Sequence, residues 1–377
     1  MNVLVTGARA PIAADIAKAL SLSGHRVWVA DSLNSPVSAG SPYIQDALRL
    51  PPPRADFSAY RSALAATCAQ FGIGAIIPTS EEIFWLAGAA PFLPPSISVR
   101  TSPLAVLDRL HHKGTFALLA ASLGYGVPAS HKISQASDLA QLGDLTGWVL
   151  KPVYSRFGAR TLIGPTPRQL RKVRPTPDQP WLAQTRLTGR ELCAYNVAAA
   201  GKLLLHVAYE PMGRIGIGAS AYFSPVRHEA LRLMSERIIA ATGFTGQISF
   251  DTMEAPQGLA ALECNPRGTS GVHLAVQQPS VLAAALLGER RELAPDFFPE
   301  PRMLRLPLLL SHPGLWMRPD GRRRLRAAQD ALAAAGVPLG AQIRALAEMA
   351  GRALRAGVSI PTASTADIEW NGEPIGG

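Results

Sequence analysis

A short apolar run within residues 2–6 is followed at once by Gly7 and then by apolar positions at Ile12, Ile16, Ala19 and Leu20. That spacing is the 3.6-residue period of a helix with one buried stripe. Gly24 ends the pattern, and a second apolar run, residues 27–30, closes on Asp31. Strand, turn, helix and strand in this order open a doubly wound sheet. Further strands are predicted at 75–78 and 97–101, with helices at 57–71 and 81–89. A first domain therefore spans residues 1–103.

The pattern changes at Pro103. It starts a helix whose Leu107, Leu110, Leu118 and Leu119 are expected on one face, and residues 124–128 stop it. Short strands alternating with turns come next, at 130–133, 147–152, 159–163, 181–186, 192–199 and 202–209, antiparallel in character. A helix at 226–242 precedes two strands, 246–253 and 259–265, joined by a turn at 255–258, and a helix at 279–287 follows. Residues 301–377 read as a smaller third unit with helices near 322–335 and 339–356. No internal repeat is visible.

Composition narrows the class. Of 377 residues, 47% are hydrophobic and 17% charged, enough apolar surface for a sizeable core and too much for a disordered chain. The formal net charge of +10 favours anionic ligands such as nucleotides, phosphates and carboxylates. The basic residues are mostly Arg scattered through an Ala/Arg/Pro-rich background, so no nucleic-acid partner is expected. Cys68, Cys193 and Cys264 form no CxxC pair, which argues against a zinc cluster or a disulfide framework and fits a reducing compartment. No apolar run reaches the ~20 residues that cross a bilayer. The longest candidate, 303–317, is broken by Arg305, Pro307, His312 and Pro313. With the first strand starting at the N-terminus and no leader-like segment before it, a cytoplasmic location is expected.

Two segments invite chemistry. The N-terminal VLVTGARAPIA has the position of a dinucleotide fingerprint, but it holds Gly7 alone, with Ala10 and Pro11 where further glycines belong. It reads as a turn glycine in a Rossmann-like sheet with no cofactor. The stronger segment is Leu262-Glu263-Cys264-Asn265-Pro266-Arg267. On a strand Glu263 and Asn265 share a face while Cys264 takes the other. Asp251 lies twelve positions before Glu263, and an antiparallel hairpin would bring the two side by side. Three hard oxygen ligands on one face suit Mg²⁺ bridging phosphates. Arg267 follows, placed to neutralise a transferring phosphoryl group. The plain alternative is that these groups are only solvated strand ends.

The order and spacing of these pieces resemble the ATP-grasp superfamily over about residues 1–300. Lys113, in LDRLHHKGTFALLAASLGYGVP, resembles the family lysine that touches ATP phosphates, although His112 stands where the family usually has Asp. Lys151, in Val149-Leu150-Lys151-Pro152, is similar to the second lysine, and Ser155-Arg156-Phe157-Gly158 resembles the loop that closes over the phosphates, with fewer glycines than usual. Residues 183–187 resemble the adenine hinge, with backbone contacts implied near Gln184 and Leu187; Glu191 matches the acid that holds the ribose. Asp251, Glu263 and Asn265 match the magnesium ligands. The resemblance implies a Rossmann-like α/β N-terminal (pre-ATP-grasp) domain over 1–103, a two-lobed α+β ATP-grasp domain over 104–300 and a small C-terminal helical unit over 301–377.

It also implies the activity: an ATP- and Mg²⁺-dependent ligase, with Mn²⁺ an acceptable substitute, joining a carboxylate to an amine or, less often, a thiol through an acyl phosphate, with Arg267, Lys151 and Lys113 catalytic. Small-molecule substrates and a homodimer would be usual for such an enzyme. For the substrate pocket the candidates are Thr269, Ser270 and His273, or else Thr269 and Ser270 simply cap a helix. Glu81 and Glu82, just past the strand ending at Pro78, either hold a substrate amine or begin a helix. Arg322–Arg326 reads as a solvated helix face, or else as a patch for an acidic substrate, a membrane surface or a partner. Two rivals from other classes are a nicotinamide-dependent reductase or epimerase, weakened by the missing glycines and the lack of Tyr-x-x-x-Lys, and a non-catalytic ATP-binding scaffold of the same fold.

Overall fold

The computed structural model describes residues 1–375 except 157, 159 and 217. Residues 157 and 159 belong to the expected phosphate loop and to the expected strand 159–163, so that part of each expectation lies outside the described residues.

Five parallel strands, β1 (Asn2–Thr6), β2 (Arg26–Asp31), β3 (Asp46–Arg49), β4 (Ala75–Pro78) and β5 (Ser98–Val99), form the first sheet in the order β3-β2-β1-β4-β5. Val3, Leu4, Val5, Ile76 and Ile77 are fully buried, as expected of parallel strands covered on both faces. The covering helix Pro11–Leu22 starts with proline at its first position, where the missing N–H costs nothing. The helix Phe57–Phe71 is capped by Asp56, whose side chain accepts from Ala59 N–H, and ends on left-handed Gly72. β3 was not predicted: DALR is short, at the sheet edge and only half-buried, so it lacks an apolar run.

A four-stranded antiparallel sheet follows: β6 (Ser130–Ile133), β7 (Trp148–Pro152), β8 (Leu162–Ile163) and β9 (Trp181–Thr185), in the order β6-β9-β7-β8. Of the described residues of the strand expected at 159–163, Leu162–Ile163 pair as a strand. The third sheet holds β10 (Arg190–Ala199), β11 (Lys202–Ile215), β12 (Ala219–Val226), β13 (Gly246–Ala255), β14 (Gly258–Asn265), β15 (Arg302–Met303) and β16 (Gln329–Asp330), in the order β14-β13-β10-β11-β12-β15-β16. Its strands pair antiparallel except β15 with β16.

Three expectations are corrected here. The helix from Pro103 is two helices, Leu104–His111 and Lys113–Ser122, because His112 adopts an extended backbone and restarts the helix by accepting from Thr115 N–H. The restart shifts the helical phase, and Leu118 points to solvent, 73% exposed. The expected helix 322–335 divides into Pro319–Ala327 and Ala331–Ala334, because Gln329–Asp330 pairs with Arg302–Met303. Finally, residues 301–377 do not stand apart. β15 and β16 extend the third sheet, and the closing segment lies on the first. There Arg9 Nη1 donates to Asp367 Oδ1 at 2.5 Å, Ser32 Oγ donates to Asp367 Oδ2, and Trp85 Nε1 donates to the Ile368 carbonyl. Trp370 stacks on Phe84 with ring centres 5.1 Å apart. The arginines between 322 and 326 are exposed, as a solvated helix face should be.

Burial alone would raise the Asp367 carboxyl, but its hydrogen bonds and charge pairing with Arg9, helped by Ser32, hold it well below its ordinary 3.8. A carboxyl depressed on folding adds stability that is full above the unfolded value and lost as pH falls through the folded one. Asp367→Asn should therefore cost about 2 kcal/mol at neutral pH, and the gap from wild type in urea unfolding should narrow below about pH 4. A gap independent of pH would contradict the assignment.

Candidate active site between the sheets

The hairpin β13–β14 sets Asp251 directly opposite Glu263. The ladder shifts register between Asp251 and Thr252. Asn265, two residues beyond Glu263, donates from Nδ2 to Asp251 Oδ2 at 3.1 Å. The structure thus brings together the three side chains that alternation on the strand had grouped.

Two lysines from other elements converge on the same carboxylate. Lys113 opens the helix Lys113–Ser122, and Lys151 sits on β7 of the small sheet. Each ammonium lies 3.6 Å from Glu263 Oε2. Lys113 also donates to the Ser155 carbonyl at 3.0 Å. Burial pulls the Lys113 ammonium down to about 8, with Glu263 pulling it back up and Lys151 pushing it further down. For the carboxylates, burial pushes both upward. The two lysines overcome it at Glu263, which is held below its ordinary value, whereas the Glu263 charge adds to it at Asp251, which is raised. The same burial thus leaves one carboxylate lowered and its neighbour raised.

Among the described residues no three His, Cys, Asp or Glu side chains are poised as a metal cluster. The donor set is two carboxylates and an amide, and it fits a hard cation that takes its remaining ligands from phosphate oxygens and water. Glu263 keeps 26% of its side chain open to solvent, so the face is reachable.

Arg267 is aimed by Glu81: Arg267 Nε donates to Glu81 Oε1 at 2.7 Å, and Arg267 Nη2 donates to Asn265 Oδ1 at 3.1 Å. Glu81 is buried at the carboxyl end of β4, and its other oxygen accepts from Arg156 Nε at 2.6 Å. Burial would raise the Glu81 carboxyl, but Arg156 and Arg267 hold it far below the usual range. Glu81 therefore neither faces solvent nor begins a helix. It pairs two guanidinium groups, and His111 Nε2 lies 3.9 Å from the same oxygen.

Several expected contacts look different in place. Arg156, expected on phosphates, spends its guanidinium on Glu81, the Trp370 carbonyl and Asn371. Burying a carboxylate as deeply as Glu81 requires a paired cation. Gln184 lies in β9, and its side chain donates to Ser130 Oγ; Leu187 follows the strand end, half-buried. Glu191 is ion-paired to Arg214 of β11. Thr269 shares a hydrogen bond with Ser249, and neither it nor Ser270 caps the short helix Val272–Ala275 with a side chain. His273 is buried, 2.5 Å from Asp15 on the first helix, away from the hairpin face. Glu82 accepts from Thr6 Oγ and Thr79 N–H, and burial pushes its carboxyl up.

At Gly7 the φ of 72° needs glycine, and a Cβ built there would lie 2.7 Å from Glu82 and Thr79 oxygens. Sequence reasoning missed Arg9, Asp31, Asp367, His111 and Asp15. The Arg9–Asp367 and Asp15–His273 partners lie 358 and 258 positions apart, and no local pattern announces such pairs.

No protein-family model matches the chain, and no curated protein matches it. Its fold does match solved structures. N5-carboxyaminoimidazole synthetase from Staphylococcus aureus aligns with a TM-score of 0.59 at 13% identity, covering 80% of each chain. L-amino acid ligase from Bacillus licheniformis gives 0.56 at 18%, covering 76% of this chain and 74% of that one. The biotin carboxylase domain of Hydrogenobacter thermophilus 2-oxoglutarate carboxylase, solved with MgADP and bicarbonate, gives 0.60 at 14%, covering 80% and 73%. The chain shares its fold, the ATP-grasp fold, with these enzymes.

Removing one partner of a buried ion pair strands the others. Glu81→Gln should therefore destabilise the protein by about 3 kcal/mol in urea unfolding, whereas Glu191→Gln, in a half-exposed pair, should cost less than about 1 kcal/mol. Equal effects would show that Glu81 does not organise the two arginines.

Proposed function

We propose that this protein is an ATP- and Mg²⁺-dependent ligase that joins a carboxylate to an amine, or less often a thiol, releasing ADP and phosphate. The observation that carries the reading is the convergence of Lys113 and Lys151 on Glu263, opposite Asp251 in the hairpin. Two buried ammonium groups beside a carboxylate pair form a site for a ligand that is itself both anionic and metal-bound, and a magnesium nucleotide is such a ligand. Support also comes from the fold, shared with ligases solved with ADP.

In this reading Asp251, Glu263 and Asn265 would hold the metal, which would supply charge neutralisation to the nucleotide phosphates; Mn²⁺ would be an acceptable substitute. Lys113 and Lys151 bind phosphate oxygens, with Ser155 beside them. The hinge near Gln184 and Leu187 takes adenine, and Glu191, released from Arg214, takes the ribose. Arg267 faces the charge that builds on the transferring group, held in direction by Glu81. A carboxylate oxygen attacks the γ-phosphorus and ADP leaves. The amine nitrogen then attacks the acyl carbon, the C–O bond to phosphate breaks, and the nitrogen gives up a proton. Positioning and charge neutralisation do the chemistry, so no side-chain nucleophile is needed.

The test is ADP and phosphate release with Mg·ATP over a panel of carboxylates, each with mixed amino acids and amines. Turnover that requires both a carboxylate and an amine is expected. Glu263→Gln should abolish it, a loss of 10²-fold or more by order of magnitude, with an unchanged circular dichroism spectrum. Full activity in that variant would refute the metal assignment. Nucleotide binding without turnover on any pair would favour a non-catalytic scaffold.

A further inference from the structure

A cavity of about 410 Å³ lies between the helix Pro11–Leu22, the helix Val272–Ala275 and the β15–β16 edge, lined by Asp15, Lys18, His273 and Arg302 among others. Its lining includes none of Lys113, Lys151, Asp251, Glu263 or Arg267. Its size falls within the range of small-molecule sites, roughly 300–1,000 Å³.

Among the described residues the polar groups are incompletely paired. Asp15, 1% exposed, uses Oδ2 on His273 Nδ1 at 2.5 Å, while Oδ1 is buried without a partner. Arg302, 9% exposed, gives Nη1 to Gln329, while Nε is buried without a partner. Both residues line the cavity, and a buried acceptor and a buried donor without partners are costly unless a ligand draws them into a new arrangement that completes them. Lys18 adds a third charge, its Nζ held by the Ala334 carbonyl at 2.7 Å.

We propose that this cavity binds an amino-acid zwitterion, its carboxylate on Arg302 and Lys18 and its ammonium on Asp15. A dianion would meet the Asp15 carboxylate, and a diamine would meet Arg302 and Lys18. A ligand with one group of each sign matches the charges of both signs that line the cavity. Leu22 and Val276 give the side chain an apolar wall. His273 lies six residues after Arg267 on the same segment, so an occupant rests against the segment that carries Arg267.

Calorimetric titration of the full chain without nucleotide tests this separately from the ligase reading. The twenty amino acids serve as probes, with propionate and ethylamine as half-ligands. Saturable binding of at least one amino acid is expected, with neither half-ligand binding. Asp15→Asn and Arg302→Gln should weaken it about tenfold or more, and Lys18→Gln, at a less buried position, should weaken it less; circular dichroism checks that each variant folds. Glu263→Gln and Arg267→Gln should leave it intact. No saturable binding by any of the twenty would overturn the proposal. So would equal binding of propionate, or loss in Arg267→Gln without loss in Arg302→Gln, which would place the ligand on the hairpin face.

Discussion

The 3.6 Å approaches of Lys113 and Lys151 to one oxygen of Glu263 are the contact around which this molecule is arranged. The three residues come from a helix, from the small sheet and from the large one, so a single carboxylate fixes how two sheets face each other. Both cations are largely withdrawn from solvent, and each is tolerable there only because the carboxylate is present. Burial lowers the Lys113 ammonium, and Glu263 pulls it part of the way back up. In the proposed reading a magnesium nucleotide would place anions on the lysines and a cation on the carboxylates.

A second buried carboxylate repeats the logic one layer away. Glu81 sits where a doubly wound sheet gathers its ligands, at the carboxyl end of β4 beside β1. It binds Arg267, next to the hairpin, and Arg156, next to Lys151, while Arg156 reaches the closing segment through Trp370 and Asn371. Residues 367–371 are thereby tied to the first sheet and to the expected phosphate loop at once. The direction of Arg267 depends on a residue 186 positions earlier in the chain.

What the sequence made legible follows from the range of the interactions. Apolar runs and helical periods are local, and β1, β2, β4 and the helices Pro11–Leu22 and Phe57–Phe71 stand where the pattern predicts them. The hairpin was legible because strand alternation and a short turn determine which side chains meet; Asp251 opposite Glu263 is that geometry realised. Two-residue strands such as β15 and β16 carry no period at all, and they alone divide the expected helix 322–335. The break at His112 turns on one residue's backbone. The ion pairs Glu81–Arg156, Arg9–Asp367 and Asp15–His273 join distant segments, so charge types were visible in the sequence while partners were not.

The claim that the hairpin and the two lysines form a magnesium–nucleotide site is tested most directly by ATP binding itself, measured by equilibrium dialysis with and without Mg²⁺ on wild type and on Lys151→Met. The account predicts one nucleotide per chain, bound at least about tenfold more tightly with Mg²⁺ than without and lost in the variant. Absence of binding, or binding indifferent to both Mg²⁺ and Lys151, would contradict it.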